Sequence, residues 1–184
     1  MSASFLDVGD PRGGAPTIGV AVPVPEPWGT QLQEQRAGFG DRVAWTIPTH
    51  ITLLPPTRVP APSLAEVDRH LADAASFVEP FVVELHGTGT FRPVSPTVYA
   101  VVARGVGGCE QLEARVRSGP LQRRLKYPYH PHVTLAFDVP EEQLDRAYDE
   151  LTDLRASFLV DEIVRYELGE EGVWYPARSF GLAR

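Results

Sequence analysis

Thr49-His50-Ile51-Thr52-Leu53-Leu54-Pro55 and Pro131-His132-Val133-Thr134-Leu135-Ala136-Phe137 are two copies of one pattern: His, a β-branched apolar residue, Thr, Leu. Residues i and i+2 of a β-strand share a face. His50 and Thr52 therefore share a face, as do His132 and Thr134, while Ile51 and Val133 turn the other way into a core. Each copy offers an imidazole and a hydroxyl side by side on a rigid strand. A neutral imidazole takes a proton and a protonated one gives it, and an ordinary pKa of ~6.5 suits both roles near neutrality. Hydroxyls beside them can hold phosphate oxygens. One such motif alone reads more readily as an ordinary strand that carries a His.

The segments around the motif repeat too, and this favours the chemical reading. Thr17-Ile18-Gly19-Val20-Ala21-Val22 starts 33 residues before His50, and Thr97-Val98-Tyr99-Ala100-Val101-Val102 starts 35 residues before His132. Both are β-branched runs bounded by Pro or Gly, so both read as strands, and a polar, helix-compatible segment follows each. Two strand–helix–strand copies related by a pseudo-two-fold place the motifs across a shared cleft.

These motifs, their spacing and the flanking strands resemble the 2H phosphoesterase superfamily, in its bacterial 2′-5′ RNA ligase/cyclic phosphodiesterase branch, over roughly residues 16 to 180. The resemblance implies an α+β fold of two pseudo-symmetric lobes, with antiparallel sheets flanking a central groove. It implies a metal-independent, cofactor-free phosphodiesterase acting on 2′,3′-cyclic phosphates, or related phosphodiesters, of nucleotides or RNA ends. His50 and His132 would then be the catalytic pair, and Thr52 and Thr134 the phosphate ligands. Two alternatives stay open: a module that binds RNA or nucleotide ends without turnover, and a reversible 2′-5′ RNA ligase using the same residues.

Composition sets outer bounds. A chain of 184 residues with 43% hydrophobic content suits one globular domain, here 17–184, preceded by a Gly- and Pro-rich arm over 1–16 read as flexible. A net charge of −7 argues against an extended nucleic-acid surface and leaves room for a small anionic substrate in a locally basic pocket. The single Cys109 excludes an intramolecular disulfide. There is no long apolar run and no signal-like N-terminus, so the expectation is a cytoplasmic monomer without a membrane segment.

Other residues frame the motifs. Arg92, just before the second repeat strand, is either a phosphate clamp or a solvated guanidinium. Arg123, Arg124 and Lys126 form the densest basic cluster and lie immediately before the second motif, where they would draw an anion. Tyr127 and Tyr129 either stack on a base or cover a lobe edge. His130 and His132 form a His-x-His pair capable of metal binding with a carboxylate. The doubled His-x-Thr argues instead for acid–base chemistry, with His130 at the mouth of the site or structural.

Secondary structure follows from pattern. Strands are expected near 17–23, 81–86 and 98–102. The first motif strand should be ended by Pro55 and Pro56. A single strand should cover 158–168, with a terminal hairpin to Val173-Trp174-Tyr175. Helices are expected near 28–38, 64–77, 109–118 and 141–154, the second opened by a Ser63/Glu66 capping box.

Overall fold

A computed structural model describes residues 15–183. The arm expected over 1–16 lies almost wholly outside the described residues. The elements are β1 (Thr17–Pro23), α1 (Trp28–Gly38), β2 (His50–Arg58), α2 (Leu64–Ser76), β3 (Phe81–Thr90), β4 (Thr97–Arg104), α3 (Val106–Val116), β5 (His132–Phe137), α4 (Glu141–Glu150), β6 (Arg155–Val160), β7 (Glu162–Leu168) and β8 (Trp174–Gly181). The strands form one antiparallel sheet in the order β6-β3-β4-β5-β2-β1-β7-β8.

The two motif strands are the centre of that order. Outward from β5 run β4, β3 and β6; outward from β2 run β1, β7 and β8. The halves touch through the pair Ile51↔Val133. Within each half the motif strand pairs antiparallel with its flanking repeat strand: Thr52 faces Ala21 of β1, and Thr134 faces Tyr99 of β4. This is the expected pseudo-symmetric α+β architecture.

The apolar partners of the motif fix which face is core. Ile51, Leu53, Val133 and Leu135 are at most 1% exposed, and one continuous buried cluster takes residues from both halves. The helices cross the seam: α1 packs against β5, and α3 against β2. Each motif strand is therefore backed by the helix that precedes the other motif. A second, smaller cluster of Ala21, Ile47, Val164, Tyr166 and Trp174 packs residues 41–48 against β1, β7 and β8. Gln33 of α1 holds that segment by donating to the carbonyls of Ala44 (2.9 Å) and Ile47 (3.3 Å).

Four local expectations are corrected. Pro55 and Pro56 do not end β2; the strand runs to Arg58, and its register with β1 slips between Ile18 and Ala21, opposite the prolines. A residue without an N–H is tolerated in a strand at such an irregularity. The run 158–168 is not one strand. It breaks at Asp161 into β6, which pairs with β3, and β7, which pairs with β1, so the chain passes here from one edge of the sheet to the other half. β3 does not stop at His86 but continues to Thr90 past Gly87, whose φ of +61° accommodates a bulge. The Ser63 cap is not made, because residues 61–63 already form a 3-10 turn and Ser63 has helical dihedrals, without a side-chain capping bond.

Candidate active site

His50, Thr52, His132 and Thr134 are all half-buried, alternating with fully buried neighbours as strand geometry requires. Extending the Ile51↔Val133 register by one residue each way sets His50 beside Thr134 and Thr52 beside His132. Each imidazole thus has the other motif's hydroxyl as its cross-strand neighbour. The four side chains make a compact square on one face of the seam.

Both rings are held in the same way. His50 Nδ1 lies 2.8 Å from the Pro48 carbonyl oxygen, and His132 Nδ1 lies 2.8 Å from that of His130. A carbonyl only accepts, so each Nδ1 carries the hydrogen and each Nε2 is the basic nitrogen of the neutral ring. The tautomer needed for proton transfer at Nε2 is thereby set in both motifs by the residue two before the His. Desolvation pushes both imidazoles from 6.5 down to about 4. The backbone acceptors partly oppose the shift, and the Arg36 guanidinium adds to it at His50. Arg36 sits on α1 and is fixed by Asp41 (2.6 Å). At neutral pH both rings are uncharged before substrate arrives.

His132 is further enclosed by aromatic rings that sequence reading did not assign to the site. Phe91 stands edge-on at 4.9 Å between ring centroids and Tyr99 at 5.4 Å, and the two are 4.3 Å from each other. Gly89 makes this possible, since a Cβ there would lie 2.6 Å from the Tyr99 ring. The sequence places Gly89 in a turn, so its meaning as a strand glycine that marks close approach emerges only once β3 is seen to run to Thr90.

A cavity of about 530 Å³ opens beside the square. Thr52 and His132 are in its wall, and the segment Arg123–His130 forms much of one side. His130 lies at its mouth, exposed, with Tyr99 edge-on at 5.2 Å. Its ring is 6.2 Å from that of His132, and among the described residues no three His, Cys, Asp or Glu side chains gather as a metal-ligand set. Of the basic cluster, Arg123 is tied down by Thr57 Oγ1 (2.9 Å), whereas Arg124 and Lys126 are exposed on the wall.

Two further candidate ligand residues differ in placement: one lies outside the cavity wall and one within it. Arg92 does not line the cavity. Its Nη1 donates to Glu141 Oε1 (2.6 Å) and Asp145 Oδ1 (2.7 Å) of α4, and its Nε to Thr90 Oγ1 (3.2 Å). With two carboxylates on it, the guanidinium ties the β3–β4 connection to α4 and is not presented as a phosphate clamp. Tyr129 does line the cavity, but its hydroxyl is committed, donating to the Thr52 carbonyl at 3.1 Å. The residue ahead of the second motif thus pins the backbone of the first. Tyr129→Phe removes one neutral hydrogen bond, worth about 1 kcal/mol. We expect a fall in Tm of about 2–4 °C for a chain of this size, with a loss of turnover larger than stability explains, measured by thermal melting and initial rates.

A family model described as the 2′-5′ RNA ligase superfamily matches residues 23–171. A provisionally named phosphoesterase of Halalkalibacterium halodurans is 28% identical over 148 residues, covering 75% of this chain and 81% of the relative. A similarly named protein of Oceanobacillus iheyensis is 27% identical over 142 residues, covering 75% and 82%. Among solved structures, E. coli LigT in apo form superposes with a TM-score of 0.66 at 19% identity, over 94% of this chain and all of the other. LigT complexed with 3′-AMP gives 0.66 at 20%, covering 92% and 99%. TT0787 of Thermus thermophilus gives 0.58 at 23%, covering 90% and 97%.

Proposed function

From the premise that this chain belongs to the 2′-5′ RNA ligase superfamily of 2H phosphoesterases, we propose that it is a metal-independent phosphodiesterase opening 2′,3′-cyclic phosphates of nucleotides or RNA ends. The observation that carries this reading is the pair of half-buried imidazoles on adjacent strands, each with Nδ1 locked on a carbonyl and each beside a threonine hydroxyl. That LigT has been crystallised with 3′-AMP supports a nucleotide as the ligand.

The roles divide by position. The cavity wall includes His132 and Thr52, so a nucleoside seated there brings its ribose to His132. In a 2′,3′-cyclic phosphate the leaving oxygen belongs to that ribose, so His132 is the acid. His50, which is not in that wall, is the base. Water attacks phosphorus as His50 Nε2 takes its proton. The bond from phosphorus to the ribose oxygen breaks as protonated His132 delivers its proton there. The products are a ribose hydroxyl and a phosphomonoester. His50 ends protonated and His132 neutral, and solvent resets both. Thr52 and Thr134 donate to the non-bridging oxygens, where charge accumulates. His132 becomes protonated only when the substrate's negative charge enters the square and favours the imidazolium.

The test is turnover of the four nucleoside 2′,3′-cyclic monophosphates with chelator present, followed by phosphorus NMR. Conversion to a single phosphomonoester isomer is expected. Folded protein that converts none of them, nor an RNA ending in a cyclic phosphate, would overturn this reading.

A further inference from the structure

The cavity is not a featureless extension of the square, because a buried glutamate is part of its wall. Glu113 of α3 is 5% exposed and lies in the cavity wall. Its Oε1 accepts from Arg117 Nε, and Arg117 Nη1 in turn donates to the Arg123 carbonyl at 2.7 Å. Among the described residues nothing donates to Oε2, yet no buried side-chain oxygen of a described residue is shut away without a partner. Oε2 is therefore not sealed off from solvent, and the residue that carries it borders this cavity.

The rest of the wall says what fits against that oxygen. Phe91, Tyr127 and Tyr129 give flat, apolar surfaces, the kind on which a planar heteroaromatic ring packs. A carboxylate is acceptor-only, so the ring has to present an N–H. Arg124 and Lys126 on the same wall suit the anionic part of the ligand. We propose that this cavity seats the substrate's base and that Glu113 Oε2 accepts a hydrogen bond from an exocyclic amino group, selecting cytosine over uracil. The proposal rests on the nucleotide reading above and adds a specificity-determining residue to it. Uracil sets carbonyl oxygen O4 where cytosine has its amino group, so at this position it brings two acceptors face to face and leaves a buried carboxylate oxygen unpaired.

The comparison that isolates this contact is cytidine against uridine 2′,3′-cyclic phosphate on the wild type. Good base-edge contacts discriminate by about 5- to 150-fold, and kcat/KM for cytidine is expected to exceed that for uridine by at least about 10-fold. Glu113→Gln should bring the ratio towards unity by raising the uridine value, since the amide N–H can donate to O4. A wild-type ratio within about 3-fold of unity overturns the proposal, as does an unchanged ratio in folded Glu113→Gln; both leave the hydrolytic reading standing. The affinities of 3′-CMP and 3′-UMP for the wild type, measured by calorimetry, separate the two ideas. Preference for 3′-CMP without turnover of any cyclic phosphate keeps the base site and sinks hydrolysis, and equal affinities overturn the base site.

Discussion

Replacing His132 with alanine is expected to lower kcat on a 2′,3′-cyclic nucleotide by ~10²–10⁴-fold, and replacing His50 by the same order, the usual contribution of one positioned proton-transfer group. The fold should survive both changes. The rings are only half-buried, and the bond that each makes to the carbonyl of Pro48 or of His130 is worth about 1 kcal/mol. The core residues beneath, Ile51 and Val133, are untouched. The two losses should not add in the double variant, because proton removal and proton delivery are halves of one step and a site lacking either already runs on binding alone. Initial rates for the two single variants and the double variant, alongside thermal melts, check this. A folded single variant that keeps more than about a third of wild-type kcat would remove that imidazole from the chemistry.

The square was legible in the sequence because strand geometry has a period of two. His-x-Thr puts its two polar groups on one face by necessity, and the intervening Ile51 and Val133 declare the other face as core. The duplicated flanks then supplied the symmetry. What escaped is the set of pairings made by residues far apart in the chain. Arg92 meets its carboxylates on α4, 49 and 53 residues on, and no local pattern announces that. Glu113 looks like one more acid on a helix until α3 is laid against β2 and its neighbour Arg117 occupies one oxygen only. The break at Asp161 did leave a trace. Burial alternates through Ala156, Phe158 and Val160 and then becomes continuous over Ile163, Val164, Arg165 and Tyr166. That change from a one-faced to a two-faced pattern marks where the chain changes partner. Tyr129 is the intermediate case: its place beside the motif was apparent, but the direction of its hydroxyl towards Thr52 belongs to the tertiary fold.

The pH profile should separate the free enzyme from the complex. In the empty site both imidazoles have been pushed down to about 4, chiefly by desolvation. The reaction needs one of them protonated and the other neutral. Above about pH 5 the singly protonated population falls tenfold per pH unit, so kcat/KM, which reports the free enzyme, should fall by ~100-fold from pH 5 to pH 7. A phosphodiester keeps its single negative charge across that range, so the slope belongs to the protein. Once substrate is bound, its charge favours the imidazolium, and the corresponding limb of kcat should lie at higher pH. Stability runs the opposite way. The unfolded imidazoles titrate near ~6.5, so between that value and about 4 the unfolded chain binds more protons than the folded one. The stabilising effect of keeping both rings neutral is complete above pH 6.5 and is lost as pH falls through 4. The urea midpoint should therefore drop between pH 7 and pH 5, and drop less in the His50→Ala, His132→Ala double variant. A kcat/KM that is level from pH 6 to pH 8 would show that the acid enters the reaction already protonated, and that some group other than the entering phosphate holds the proton on His132.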